Sequence, residues 1–155
     1  MMLAYGLVRL IETHSETLAN SLLQRVQHSV RTAAYRNVPP EELKQRVYEV
    51  YLHLGEWLLD TSEAEIERRY SEIGSRRAQQ GVPVSQVIWA IVLTKDTLWE
   101  YIIDESFSDR PVQAYGKQEL LQLLDQFFDR AIHAAAVGYE TAGRVKVERQ
   151  LAKVA

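Results

Sequence analysis

The hydrophobic residues of this chain recur at steps of three, four and seven in every long segment, and no stretch of any length alternates at the period of a strand. Only 4 Pro and 7 Gly interrupt the sequence, nearly all of them between those segments. Together these facts confine the fold to the all-α class, with five or six helices and a long last one. At 155 residues the chain has the length of one domain and can bury a sizeable core without staples.

The first stripe is Leu3, Leu7, Leu10, Ile11, Leu18, Leu22, Val26 and Val30. Thr13 and Glu16 have the spacing of a capping box, so a break is expected there, with a new helix from about Glu16. Asn37-Val38-Pro39-Pro40 ends that segment, because residues before proline avoid helical torsions. A third helix starts at Pro40, with Glu41 and Glu42 suited to the positive end of the helix dipole. Its stripe is Leu43, Val47, Val50, Tyr51, Leu54, Trp57 and Leu58. Ser62 with Glu65 forms a second capping-box signature and opens a fourth helix towards Gly81. Its narrow stripe (Ile66, Tyr70, Ile73) and the i, i+4 pairs Glu65/Arg69 and Glu72/Arg76 predict a surface helix. From Pro83 the next helix is apolar nearly all round, which predicts a central helix buried nearly all round. After a loop at 106–111, a long final helix runs from about Val112 into the 140s or beyond.

Composition removes several function classes. With no cysteine there are no disulfides, Cys-based zinc sites or thiol nucleophiles, in keeping with a reducing cytosol. The longest apolar run, Val87–Leu93, falls far short of the roughly 18 residues of a spanning helix, and the N-terminus lacks the marks of a signal peptide. A net charge of −3 offers no broad positive field for a phosphate backbone. The expectation is a cytoplasmic single domain with neither nucleic-acid nor membrane partners.

Few residues suggest chemistry. The four histidines lie at 14, 28, 53 and 133. Glu49/His53 and Asp129/His133 share helix faces, but the order His53-x-x-Glu56 reverses what a di-iron bundle uses, so surface ion pairing is the expectation and no metal site. No hydrolase, zinc-protease or phosphate-loop motif occurs, and no catalytic residue is assigned. Residues 78–87 imitate the turn of a helix-turn-helix, yet the following helix offers apolar residues where base-reading polar ones are needed. Lys95 and Asp96 are the only charges between Val84 and Trp99; the expectation is that the Lys95 stem packs and its head reaches water. The last helix carries small residues at Ala131, Ala134, Ala135, Ala136, Gly138, Ala142 and Gly143, suited either to packing inside the chain or to self-association.

Ser75-Arg76-Arg77-Ala78-Gln79-Gln80-Gly81-Val82-Pro83-Val84-Ser85, followed by an apolar helix to Leu98-Trp99-Glu100, resembles the N-terminal domains of RsbR-type stressosome proteins, the RsbT co-antagonists. The likeness continues in Leu124-Asp125-Gln126-Phe127-Phe128-Asp129 and at Tyr139, and more loosely over residues 11–26. It implies a globin-like helical fold without haem or other cofactor, forming a homodimer. It further implies a sensory or interaction module whose last helix leads into a STAS output domain. The sequence stops at Ala155, where such a linker would be leaving, so that output lies outside this chain or is replaced by contact with another signalling protein, of STAS or kinase type. If the last two helices are the final two of a globin, the proximal haem ligand would come from residues 62–81, which hold no His, Met, Cys or Lys and only Tyr70 as a substitute.

The function expected is therefore a non-enzymatic sensor acting as a homodimer that relays a signal through its last helix, with Phe128, Ala131, Ala135 and Gly138 at the dimer face. The alternative is a ligand- or haem-binding globin-like sensor, its pocket walled by Tyr51, His53, Leu54, Trp57, Val92, Lys95 and Trp99.

Overall fold

The computed structural model describes residues 2–52, 63–104 and 111–154, and among these residues it holds six α-helices and one 3-10 helix. In chain order they are α1 (Met2–Thr13), α2 (Ser15–His28), the 3-10 helix (Val30–Asn37), α3 (Pro40–Leu52), α4 (Glu63–Gln79), α5 (Val84–Asp104) and α6 (Pro111–Val154). Among the described residues there is no strand, so the all-α class with a long last helix holds.

Helix boundaries follow local chemistry, though not always the expected contacts. The break between α1 and α2 falls at His14, but the Thr13 hydroxyl donates to the Arg9 carbonyl (2.8 Å) instead of capping α2. The expected stripe also ends early: α2 stops at His28, and Val30 stands 88% exposed at the start of the 3-10 helix. Ser29 caps that helix by accepting from the Arg31 N–H, and buried Thr32 donates to the Val26 carbonyl (2.6 Å). Pro40 opens α3 as expected, with Leu43, Val47, Val50 and Tyr51 buried. The second capping-box residue, Ser62, and the stripe residues Leu54, Trp57 and Leu58 lie outside the described residues.

The central place expected for α5 is shared with α6: α6 lies against α1, α4 and α5, and α5 lies against α2, α4, α6 and the 3-10 helix. Helix α5 buries one stripe (Val87, Ala90, Ile91, Leu98, Ile102) and leaves Trp89, Val92 and Trp99 half-buried and Ile103 exposed. An apolar circumference overstated the burial, because the sides facing α2, α6 and the 3-10 helix found partners while Ile103 stayed exposed. Helix α4 keeps the exposed outer face of a surface helix and buries Ile66 and Tyr70 of the expected stripe, together with Gly74 and Arg77.

The contact between α4 and α6 is a backbone crossing. A Cβ on Gly74 would stand 2.0 Å from the Ala135 carbonyl oxygen, and one on Gly138 would stand 2.0 Å from that of Ser71. The pairing 71 with 138 and 74 with 135 runs in opposite senses, so the two helices cross antiparallel, each through the other's glycine. Large side chains flank the crossing: Tyr70 meets Phe127 edge to face with ring centroids 5.7 Å apart, and Phe127 meets Phe128 likewise at 5.2 Å.

Candidate functional site

The stripe Ile66, Tyr70, Ile73 on α4 continues, at helical spacing, to Arg77. Packing therefore carries a guanidinium into the interior, where the Arg77 side chain is 3% exposed. A buried charge needs a partner, and Glu42 of α3 supplies it at 3.2 Å from an Arg77 terminal nitrogen. Arg76 donates to the same carboxylate from Nε at 3.1 Å, and Gln80 donates to both of its oxygens. Arg77 also donates to the Gln80 side-chain oxygen (2.7 Å), and its guanidinium lies 5.7 Å from the Tyr35 ring centroid. The hydrogen bond from Arg76, reinforced by Arg77, holds the Glu42 carboxyl below its ordinary value despite partial burial. Burial pushes the Tyr35 hydroxyl up to about 12, with Arg77 opposing. One donor stays unmatched: Arg77 Nε is enclosed and has no hydrogen-bond acceptor.

The end of α4 beside this cluster is fixed by Gly81, whose φ of +76° favours glycine. The Val82 N–H reaches back to the Arg77 carbonyl and the Gly81 N–H to that of Ala78, both at 3.1 Å, which is a Schellman ending. Val82 is fully buried, and the Tyr139 hydroxyl of α6 donates to its carbonyl at 2.7 Å. The Glu42–Arg77 cluster, the α4–α5 turn and α6 thus form one joint.

Against the joint lies a cavity of ≈ 70 Å³, walled by Leu22, Val47, Val50, Tyr70, Phe128 and Arg77 among others. It is several-fold smaller than the about 300–1,000 Å³ of ordinary cofactor sites, so it cannot seat a porphyrin, although Tyr70 lines it.

Of the pocket walls expected from sequence, Tyr51, Val92, Lys95 and Trp99 are among the described residues, and none of these lines that cavity. Tyr51 is fully buried in the core and donates to the Thr94 carbonyl (3.1 Å). Lys95 Nζ lies 3.3 Å from Asp125 Oδ1, tying α5 to α6 where free solvent contact was expected. Trp99 is half-buried on α5, and neither it nor Lys95 lines the cavity. His53 and Trp57 lie outside the described residues. Phe128, Ala131 and Ala135, expected at a dimer face, are fully buried inside the chain, and Gly138 is covered by Ser71 of α4. Of the small residues, Ala135 and Gly138 serve the α4–α6 crossing, whereas Gly143 is exposed. Arg69, expected to pair with Glu65 along α4, also reaches α3, 3.6 Å from Glu49, and Arg76 pairs with Glu42 of α3. His14 and His28 donate to carbonyls four residues back, and among the described residues no group of three His, Asp or Glu could hold a metal.

Residues 16–153 match the family described as the RsbT co-antagonist protein rsbRD N-terminal domain. The chain belongs to that family. It is accordingly a signalling domain of the RsbR type. No curated protein and no solved structure matches it. In this RsbR-type domain the residues that carried the resemblance converge on the joint: Arg77 is the buried cation, Gly81 ends α4, Val82 is clamped by Tyr139, and Leu124, Phe127 and Phe128 are core. Sequence reasoning assigned Arg77 no role of its own; its register with Ile66, Tyr70 and Ile73 was the available signal.

Proposed function

We propose that this domain is a non-enzymatic, cytoplasmic sensing and interaction module of the stressosome kind, working as a homodimer whose α6 helices relay the signal to STAS- or kinase-type partners. The observation that carries the reading is the far end of α6. Residues 143–154 are all exposed, a rod of roughly 18 Å at 1.5 Å per residue. On it Val147, Leu151 and Val154 are 53%, 65% and 87% exposed. Their spacing of four and three is that of a coiled-coil seam, and a seam left open favours pairing with a like helix. The joint supports the relay, because a shift at the α4–α5 turn acts on Tyr139, just before this rod.

The test uses native mass spectrometry and cross-linking. A dimer at twice the 17.8 kDa chain mass is expected, with Leu151→Glu giving folded monomer. Because the chain has no cysteine, Leu151→Cys reports the seam alone by disulfide cross-linking. A Leu151→Glu protein that remains dimeric removes the seam, and a monomeric parent protein removes the relay. A second reading, ligand sensing, is favoured by the cavity beside Arg77.

A further inference from the structure

We propose that the cavity between α2, α3, α4, α5 and α6 binds a short-chain monocarboxylate, with the carboxylate on the Arg77 and Arg46 guanidinium groups and the alkyl tail among Leu22, Val47 and Phe128. This deepens the ligand-sensing reading by naming the ligand class, and it is independent of the α6 seam.

Three observations converge on that class. The first is an enclosed donor without an acceptor: Arg77 lines the cavity, its side chain is 3% exposed, and its Nε–H is unmatched. Such a group costs stability until something accepts from it. The second is charge. Arg46 and Arg77 both line the cavity, and Glu42 is already shared between Arg76 and Arg77. Among the described residues no carboxylate pairs with Arg46, so the local balance is positive and favours an anion. The third is the apolar part of the lining, where Leu22, Val26, Val47, Val50, Ile91 and Phe128 offer partners to an alkyl tail, beside the side chains of Tyr35, Tyr70 and Thr94. An anionic head joined to an alkyl tail satisfies both parts of the lining at once.

Size sets the rest. A cavity of ≈ 70 Å³ has room for about two waters or a molecule of a few non-hydrogen atoms. Half-buried Arg46 and Ile73 line it on the α3 and α4 side. Arg46 also faces an outer groove of ≈ 480 Å³ shared with Ser71, Glu72 and Gly138, so this arginine stands between groove and cavity. Occupation would act on Arg77, and through the Val82–Arg77 and Tyr139–Val82 hydrogen bonds on α6.

The experiment is thermal unfolding of the intact protein in sodium acetate, propionate, butyrate and hexanoate, against propionamide and sodium chloride. Saturable stabilisation is expected from the two- to four-carbon acids; at ten times Kd the unfolding equilibrium constant falls about elevenfold. Hexanoate, too long for the cavity, and the uncharged amide should give none. Arg77→Gln should abolish the effect, and the size series on the parent protein stands should that variant fail to fold. No saturable shift, an equal shift from propionamide or chloride, or affinity that keeps rising through hexanoate would overturn the proposal. Native mass spectra of the same samples separate the two readings: carboxylate binding by a monomer sinks the relay alone, and a dimer indifferent to carboxylates sinks the site alone.

Discussion

Adding one methyl group at Gly74 or Gly138 should destabilise this domain, although alanine is the better helix former. Either Cβ would stand 2.0 Å from a backbone carbonyl oxygen of the facing helix, and a backbone atom cannot swing away as a side-chain end can. Relief requires α4 and α6 to part by roughly 1 Å, and a gap of that size forfeits about half of the dispersion attraction between the atoms it separates. Those atoms belong to Ile66, Tyr70, Phe127, Ala131 and Ala134, all buried. Overpacking of this kind costs about 1–3 kcal/mol and occasionally more. Replacing a helical glycine by alanine returns about 1 kcal/mol. The net expectation is a loss of up to about 2 kcal/mol for each variant, or a fall in midpoint of up to roughly 8 °C for a chain of this length. Gly143→Ala is the control with the opposite sign. That glycine is in the same helix, is exposed and has nothing within 4 Å of its would-be Cβ, so alanine there should raise the midpoint by roughly 2–4 °C. Far-ultraviolet circular dichroism during heating and in urea reads all three. If Gly74→Ala and Gly138→Ala gain stability as Gly143→Ala does, the antiparallel crossing is wrong.

Ala135→Arg discriminates the two uses of the small residues: inside the chain it should prevent folding, with a cost above about 3 kcal/mol, whereas a soluble folded monomer would return Ala135 to a dimer face. Glu42→Gln should cost about 3 kcal/mol at neutral pH by stranding Arg77. Because the Glu42 carboxyl is held below its ordinary value, its contribution is complete above about pH 4.5 and is lost as pH falls through the lowered value. Urea titrations should therefore show a flatter acid limb for Glu42→Gln, and identical limbs would refute the pairing. At alkaline pH the signs reverse. Burial raises Tyr35 to about 12 and raises Tyr51 and Tyr70 further, so their stabilisation is whole below pH 10 and lost as pH climbs towards 12. Tyrosinate absorbance from these three should appear together with loss of helix; all 8 tyrosines ionising near pH 10 with helicity intact would contradict the burial.

Much of the fold was legible because helix formation is governed by neighbours in sequence. The period of Leu43, Val47, Val50 and Tyr51, the proline opening α3, and Gly81 with Pro83 between α4 and α5 placed those elements correctly. Capping was less legible, since the Thr13 hydroxyl had a competing carbonyl at Arg9 within its own helix. Least legible was the site. Arg77 lies 35 positions from Glu42 and Tyr139 lies 57 from Val82, and no local pattern announces either meeting.

The sequence by itself thus determined the all-α class, the long last helix and the family, each of which rests on local spacing and residue type. Only the tertiary structure decided that α6 shares the centre with α5, that Ala135 and Gly138 face α4, and that a charged residue on a narrow stripe is buried against Glu42. The physical reason is that a helix has several faces able to pack, and the choice among them depends on which backbones can approach closely. Here two glycines, one on each helix, made that choice.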